Sequence, residues 1–351
     1  MPDFRKILLV RTDRIGDVVL TTPAATMLKE RFPDAEIHFL TRAYTAPLVE
    51  LHADVDHVLI YQPEGRHRGF KGHLQLANRL KEYQYDAAFL FYPTFSLAWV
   101  LFQAAIPVRV GSGFRWYSSL FLNYKHYEHR KTGQRHELEY NLQLINRIVK
   151  IPHAAITFRF KIPEILHDWW QTYRIHHNLP SEYAVVHPGS GGSAPNLTLA
   201  QYQQVIHAIL SETQLAVLLT GSPDELEVLQ SIKNNFADKP VFIIGVDFTL
   251  PQLMIIISQA QLFVSTSTGP LHIAAAFNVP VVGFYCPAPP CSPRRWGPYG
   301  QEQWTVTPEV TPCRYCKVEQ CPHGNCLSHI PPHLIQEIII QRWQHAKLKN
   351  R

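Results

Sequence analysis

Short apolar runs alternate with stretches of helical periodicity through most of the chain, and the alternation starts afresh near residue 183. Residues 7–10, 36–40, 57–60 and 87–91 read as strands, with helices predicted over 18–32, near Tyr44 and over 70–83. The second series has strands at 183–187, 215–219, 241–244, 262–265 and 281–284, separated by helices at 199–210, 224–235, 252–258 and 271–277. Alternation of this kind builds mostly parallel sheets covered on both faces. The fold class is therefore α/β, with two Rossmann-like, doubly wound domains. At 351 residues the chain exceeds what one hydrophobic core supports. The first domain is expected at 1–175 and the second at 176–328. A last helix within 329–351 opens at Pro331-Pro332, and its apolar stripe of Leu334, Ile335, Ile338 and Ile339 is expected to pack back on the first domain.

Between residues 106 and 131 the pattern turns irregular and basic-aromatic, with Arg109, Arg115, Trp116, Tyr117, Lys125, His126, Arg130 and Lys131 interleaved. This stretch reads as loops rimming a cleft, followed by a helix over 137–149 and a crossing segment over 151–163. Lys plus Arg number 33 against 28 Asp plus Glu, a formal charge of +5. That balance suits an anionic substrate or membrane surface and is too dispersed for nucleic acid. No window reaches the roughly 18 apolar residues of a spanning helix, and the start Met1-Pro-Asp-Phe-Arg-Lys6 lacks the apolar core of a signal peptide. A cytoplasmic location follows as the expectation, with peripheral contact at the inner face of the membrane.

Four turns carry the chemistry. In Lys6-Ile-Leu-Leu-Val-Arg11-Thr-Asp13-Arg14-Ile-Gly16-Asp17 a strand ends in a polar turn, where Gly16 lets the backbone bend and Asp17 projects as a candidate catalytic base. His187-Pro188-Gly189-Ser190-Gly191-Gly192-Ser193-Ala194 joins a strand to a helix, and its freed amides suit a diphosphate. Ser265-Thr266-Ser267-Thr268-Gly269-Pro270-Leu271-His272 puts hydroxyls and amides at a helix start, with His272 one turn in, either facing the ligand or lying in the core. Thr220-Gly221-Ser222-Pro223-Asp224-Glu225 supplies a carboxylate for a ribose, although capping of the helix by Ser222 and Glu225 accounts for it equally. The first turn lacks the Gly-x-Gly-x-x-Gly spacing of dinucleotide oxidoreductases.

Together with Arg135-His136-Glu137-Leu138-Glu139-Tyr140 and Pro293-Arg294-Arg295-Trp296-Gly297-Pro298-Tyr299-Gly300, these turns resemble glycosyltransferase family 9, the bacterial lipopolysaccharide heptosyltransferases, over nearly the whole length. The resemblance implies a GT-B architecture whose two domains face a cleft, and inverting, metal-independent transfer of heptose from ADP-heptose to an anionic glycolipid acceptor. It assigns the base to Asp17, the ribose contact to Glu225 and the donor-binding turn to Ser267, Thr268, Gly269 and His272; the chemistry of the turns adds Ser190, Gly191, Gly192 and Gly221 as donor contacts, and the basic residues of the first domain, Arg14, Arg42, Arg109 and Arg115, suit an anionic acceptor. Two positions depart from the family pattern. Ala194-Pro195-Asn196 stands where members often carry a lysine, leaving Arg294, Arg295 or Arg14 to supply the charge, and Ser267 stands where many have aspartate. The alternatives are a sugar-nucleotide-binding protein with weakened turnover and a GT-B-like sugar-nucleotide epimerase.

All six cysteines lie in the last fifth of the chain, unlike a disulfide-stapled secreted fold. Cys313, Cys316, Cys321 and Cys326, with His323 among them, offer ligands for a structural zinc at a spacing that departs from a zinc ribbon. Reduced thiols or a disulfide loop brace are the other readings, and no cofactor is required for the reaction the resemblance implies.

Overall fold

Each expected strand forms, and each joins a wholly parallel sheet. In the computed structural model, which describes residues 3–150, 156–192, 194–311, 313, 314, 316 and 318–349, the chain divides into two units, Met1–His129 with Glu137–Lys161 and Arg130–His136 with Ile162–Arg351. In the first unit β1 (Lys6–Val10), β2 (Glu36–Arg42), β3 (His57–Tyr61), β4 (Ala87–Leu90), β5 (Val108–Ser112) and β6 (Tyr124–His126) lie in the order β3-β2-β1-β4-β5-β6. In the second, β7 (Tyr183–His187), β8 (Ala216–Leu219), β9 (Val241–Ile243), β10 (Leu262–Thr266), β11 (Val281–Phe284) and β12 (Thr305–Val306) lie in the order β12-β11-β10-β7-β8-β9. β4, β7 and β10 are buried along their whole length, as strands covered by helices on both faces must be.

The strand orders locate the chemistry. β1 sits between β2 and β4, with Ile7 opposite both Ile37 and Ala87. The connections after β1 and β4 therefore leave in different directions and open a crevice at their carboxyl ends. β7 repeats the pattern in the second unit, with Val185 opposite both Phe263 and Leu218. The Arg11–Asp17 turn follows β1, and the glycine-rich turn follows β7, each at its own sheet's switch point.

Several expectations need correction. The predicted helix over 18–32 is two helices, Ile15–Val19 and Pro23–Arg31. Proline has no amide hydrogen to continue the first helix, and the Thr22 hydroxyl donates instead to the Val19 carbonyl at 2.9 Å. The stretch read as loops over 106–131 contains β5, β6 and the helix Ser118–Phe121. Its strands end the sheet, where exposed polar and aromatic side chains hide the apolar alternation. The helix Glu164–His176, not among the expected elements although Leu166, Trp169, Trp170 and Tyr173 recur at helical spacing, buries Trp170 fully and belongs to the second unit, which moves the boundary to 161/162. The final helix, Pro332–Lys349, packs in the second unit, with Ile335 and Ile339 fully buried among residues of the helix Leu199–Glu212. Truncating either isoleucine to alanine would cost about 2–5 kcal/mol. Of the crossing segment, residues 151–155 lie outside the described residues, as does Ser193 of the glycine-rich turn.

Candidate active site

Arg11 organises the first unit's turn. It leaves the apolar strand β1 as a buried guanidinium and gathers partners from every side. Nε donates to Asp13 Oδ1 at 2.6 Å, Nη2 to Asp17 Oδ1, and Nη1 to Glu137 Oε1 at 3.4 Å and Asn141 Oδ1 at 3.3 Å. Asn141 Nδ2 in turn donates to the Leu20 carbonyl and to Thr21 Oγ1, and the Thr21 hydroxyl donates to the Asp17 carbonyl. The helix Glu137–Asn146 thus clamps the turn that carries Asp17.

Electrostatics follow from that arrangement. Burial pushes the Asp17 carboxyl up to about 7, Arg11 pulls against it, and the neighbouring carboxylates of Asp13 and Glu137 reinforce the rise. Arg11 loses by burial and gains more from the three carboxylates, so it stays charged. Asp17 keeps 16% of its side chain open to solvent. A partly open carboxyl titrating near neutrality is matched to general-base work. Sequence reading reached Asp17 and passed over Arg11, Glu137 and Asn141. A signal was present, since an arginine ending an apolar central strand has to be paired.

The proposed acceptor cations divide. Arg14 and Arg115 are exposed, and Arg42 is paired with the exposed Glu64 at 2.9 Å. Arg109 does not project as an acceptor contact. Its Nε donates to the Phe121 carbonyl at 2.7 Å and its Nη1 to the Ile106 carbonyl, and the guanidinium lies over the Phe102 ring. It ties β5 to the helices beside it.

In the second unit the turns after β7, β8 and β10 are laced together. Tyr202 donates to the Pro188 carbonyl at 2.6 Å, Ser265 to the His187 carbonyl at 2.8 Å, and His187 Nδ1 meets Thr220 Oγ1 at 2.9 Å. Thr266 Oγ1 donates to Asn196 Oδ1 at 3.3 Å, while Asn325 holds the Asn196 carbonyl. Within the glycine-rich turn the Ser190 hydroxyl donates to the Ala194 carbonyl. Gly191 and Gly192 take φ of +52° and +71° with open space where a side chain would stand. Their backbone is therefore approachable by a ligand.

Gly189 has a different reason. A Cβ there would fall 1.7 Å from Glu225 Oε1, so only glycine lets that carboxylate lie against the turn. Glu225 Oε2 accepts from the Ser222 amide at 2.8 Å and hydroxyl at 3.0 Å, which makes the capping explanation true, and the carboxylate nonetheless faces the turn. Gly221 passes 3.2 Å from the same oxygen, measured to a built Cβ. Burial pushes the adjacent His187 down to about 4 against the pull of Glu225.

After β10, the helix Gly269–Ala276 begins at Thr268, whose extended backbone caps it without a side-chain hydrogen bond. Ser267 hydrogen-bonds the buried Tyr285 hydroxyl. His272 is buried and pushed down to about 3, by burial first and by His136 second, so it is neutral. Its Nδ1 has no partner among the described residues.

The thiols gather in the second unit and bring in two cysteines that the sequence spacing had left aside. Cys286 is in hydrogen-bond contact with Cys316 and Cys326, Cys291 with Cys316, and Cys321 with Cys313 and Cys326. All six are free cysteines. Among the described residues no group of three or more His, Cys, Asp or Glu side chains is set to hold a metal ion.

The model of Glycosyltransferase family 9 (heptosyltransferase) matches residues 73–327. The chain belongs to glycosyltransferase family 9. A Haemophilus influenzae protein named "Putative glycosyltransferase" is 32% identical over 301 residues, which are 84% of this chain and 86% of that protein. The glycosyl transferase family 9 structure from Veillonella parvula aligns with a TM-score of 0.86 at 18% identity, covering 98% of this chain and 99% of that one. The E. coli ADP-heptose lps heptosyltransferase II structure aligns at 0.77 and 21% identity, covering 97% and 99%. These structures share the GT-B fold class of paired Rossmann-like units. As a family 9 member the chain is a glycosyltransferase, and the epimerase alternative falls.

In this family 9 chain the position after the glycine-rich turn is Pro195. Of the substitute cations, Arg295 lies over the Trp296 ring, which is itself 6.4 Å from His272. Arg295 Nη1 also donates to the Pro290 carbonyl at 3.3 Å.

Proposed function

We propose that this glycosyltransferase moves heptose from ADP-heptose to an anionic lipopolysaccharide core acceptor, with inversion and without a metal. The observation that carries the proposal is Asp17, partly open, held by Arg11 and titrating near 7 at the switch point of its sheet. Its carboxylate takes the proton from an acceptor hydroxyl as that oxygen bonds to the anomeric carbon. The bond from that carbon to the diphosphate breaks in the same displacement, and ADP leaves with the electron pair. One displacement inverts the centre.

The second unit receives the leaving group. The Gly191 and Gly192 backbone, the amides opening Gly269–Ala276 and the Arg295 guanidinium meet the diphosphate charge as it develops. Glu225 accepts from the ribose with the oxygen that faces Gly189, and the unpartnered Nδ1 of His272 takes a hydrogen bond from the donor. Donor identity is supported by the family's description as heptosyltransferase and by the ADP-heptose enzyme that shares the fold. A lipid-borne acceptor places the enzyme at the cytoplasmic face of the inner membrane. Among the described residues no helix is long and apolar enough to cross it.

The decisive experiment is transfer from ADP-heptose to a truncated lipopolysaccharide core, followed by mass spectrometry, with wild type and Asp17→Asn. Wild-type product with loss of about 10²–10⁴-fold in the variant is expected. Undiminished transfer by Asp17→Asn overturns the base, and the absence of ADP binding by calorimetry overturns the donor.

A further inference from the structure

One helix of the first unit is apolar on the wrong side as well as the right one. Phe95–Gln103 reads Phe-Ser-Leu-Ala-Trp-Val-Leu-Phe-Gln, and Leu97, Ala98, Val100 and Leu101 are fully buried in the core. A helix that is hydrophobic all round belongs inside a protein or a membrane. Here the outward face holds Phe95, Trp99 and Phe102 at helical spacing, with Phe95 and Phe102 exposed.

Neighbouring elements extend that face. Trp116 is 71% exposed with its ring 5.7 Å from Phe95, and Leu120 is 61% exposed on the helix Ser118–Phe121. Phe70, 70% exposed at the start of the helix Gly69–Glu82, has its ring 5.2 Å from Trp99. Phe121 bridges Phe95 and Phe102, with centroids 5.6 Å from each. The result is a continuous aromatic and aliphatic surface, well beyond the scattered exposed residues of a soluble protein.

Its charge says what covers it. Residues 64–128, which span the patch, contain eight Lys or Arg against four Asp or Glu. Lys71 and Lys81 are exposed on the helix that carries Phe70, and Arg115 is exposed beside Trp116. A second copy of this chain would bring like charges together on the same patch. An anionic bilayer instead offers negative headgroups to the basic residues and a headgroup–acyl boundary to the rings.

We propose that the surface formed by Phe70, Phe95, Phe102, Trp116 and Leu120, with its basic surround, docks the first unit on an anionic lipid bilayer. It does so without spanning the membrane. The docking needs neither donor nor acceptor sugar, so it stands or falls separately from the transferase proposal.

The test is flotation of the full chain with vesicles of phosphatidylethanolamine and phosphatidylglycerol, against phosphatidylcholine vesicles, at 0.1 and 0.5 M salt and with no sugar-nucleotide present. Wild type floats with anionic vesicles at low salt, and high salt releases most of it because exposed charges are screened. Combined Phe70→Ser, Trp116→Ser and Leu120→Ser, all at exposed positions, lowers the bound fraction about tenfold, and Lys71→Glu with Lys81→Glu does the same. Far-ultraviolet circular dichroism and thermal midpoints of both variants stay at the wild-type values and show that they are folded. Failure of wild type to float, or equal flotation of both variants, overturns the proposal. So does a dimer in sedimentation velocity that the serine substitutions dissociate, which would assign the patch to self-association.

Discussion

Arg11 sets the terms on which Asp17 can act. One guanidinium faces Asp13, Asp17 and Glu137, so the cluster carries excess negative charge when all three ionise. The proton that relieves the excess sits on Asp17, the more open side chain beside the buried Glu137, and leaves near pH 7. Since the base must be ionised, the transfer rate is expected to rise with pH through about 7 and level off above about 8. A rate that falls over that interval would remove Asp17 from the base role. Stability runs the other way. The folded carboxyl binds its proton more tightly than the unfolded chain does, so its contribution is fullest below about pH 4 and is lost as pH rises through about 7. Asp17→Asn should therefore raise the thermal midpoint at pH 8 by about 2–4 °C while transfer collapses, and the gain should vanish at pH 4. Calorimetric scans at the two pH values check this. Asp17 was legible because a glycine and a carboxylate follow an apolar strand. Its titration was not, because that depends first on burial in the folded unit and then on charges that include Glu137, more than a hundred residues away in sequence.

At the scale of elements, strand exits were the most readable part of the chain, since glycine, hydroxyl and carboxylate residues gather where the apolar run of a buried strand ends. The turns after β7, β8 and β10 were found in that way. What hid was side-chain direction: Arg109 belongs to a basic stretch that looked like an acceptor surface, yet it donates to carbonyls of its own unit. Periodicity also fails for β6 and β12, which span three and two residues. The contact between Gly189 and Glu225 yields a sharper expectation. Gly189→Ala must expel the Glu225 carboxylate, and the ADP dissociation constant should rise about tenfold or more, in the range of an unmade hydrogen bond to a charged group. If displacement of Glu225 is the whole cause, Gly189→Ala combined with Glu225→Ala binds ADP no more weakly than Gly189→Ala alone. Additive losses in that calorimetric cycle would mean that the alanine disturbs the turn itself. Gly191→Ala should instead cost about 1 kcal/mol of backbone strain, since the space beside it is open.

At the scale of the whole molecule, two sheets with separate switch points explain why the sequence reads as one pattern begun twice. The turns differ in content as the sequence shows: the first unit's turn is rich in charge, and the second unit's turns are rich in glycine and hydroxyls. The helix Glu164–His176 and the final helix, both within the second unit, carried no such mark, because their placement is decided by cores assembled from distant segments such as Trp170 with Tyr183. The second unit should behave as the donor-binding body. Backbone amides, a helix start and Arg295 are proposed to take the diphosphate charge, so ADP should bind equally well after exhaustive dialysis against EDTA. At 100 times its dissociation constant it stabilises whatever folds around it by about 2.7 kcal/mol, roughly 5–10 °C for a cooperative unit of this size. Hydrogen exchange read on the same samples should slow in 187–192, 220–225 and 265–272, and stay unchanged over β1 to β3. A midpoint shift abolished by EDTA would show that a metal carries the diphosphate charge, and protection confined to the first unit would place the nucleotide there.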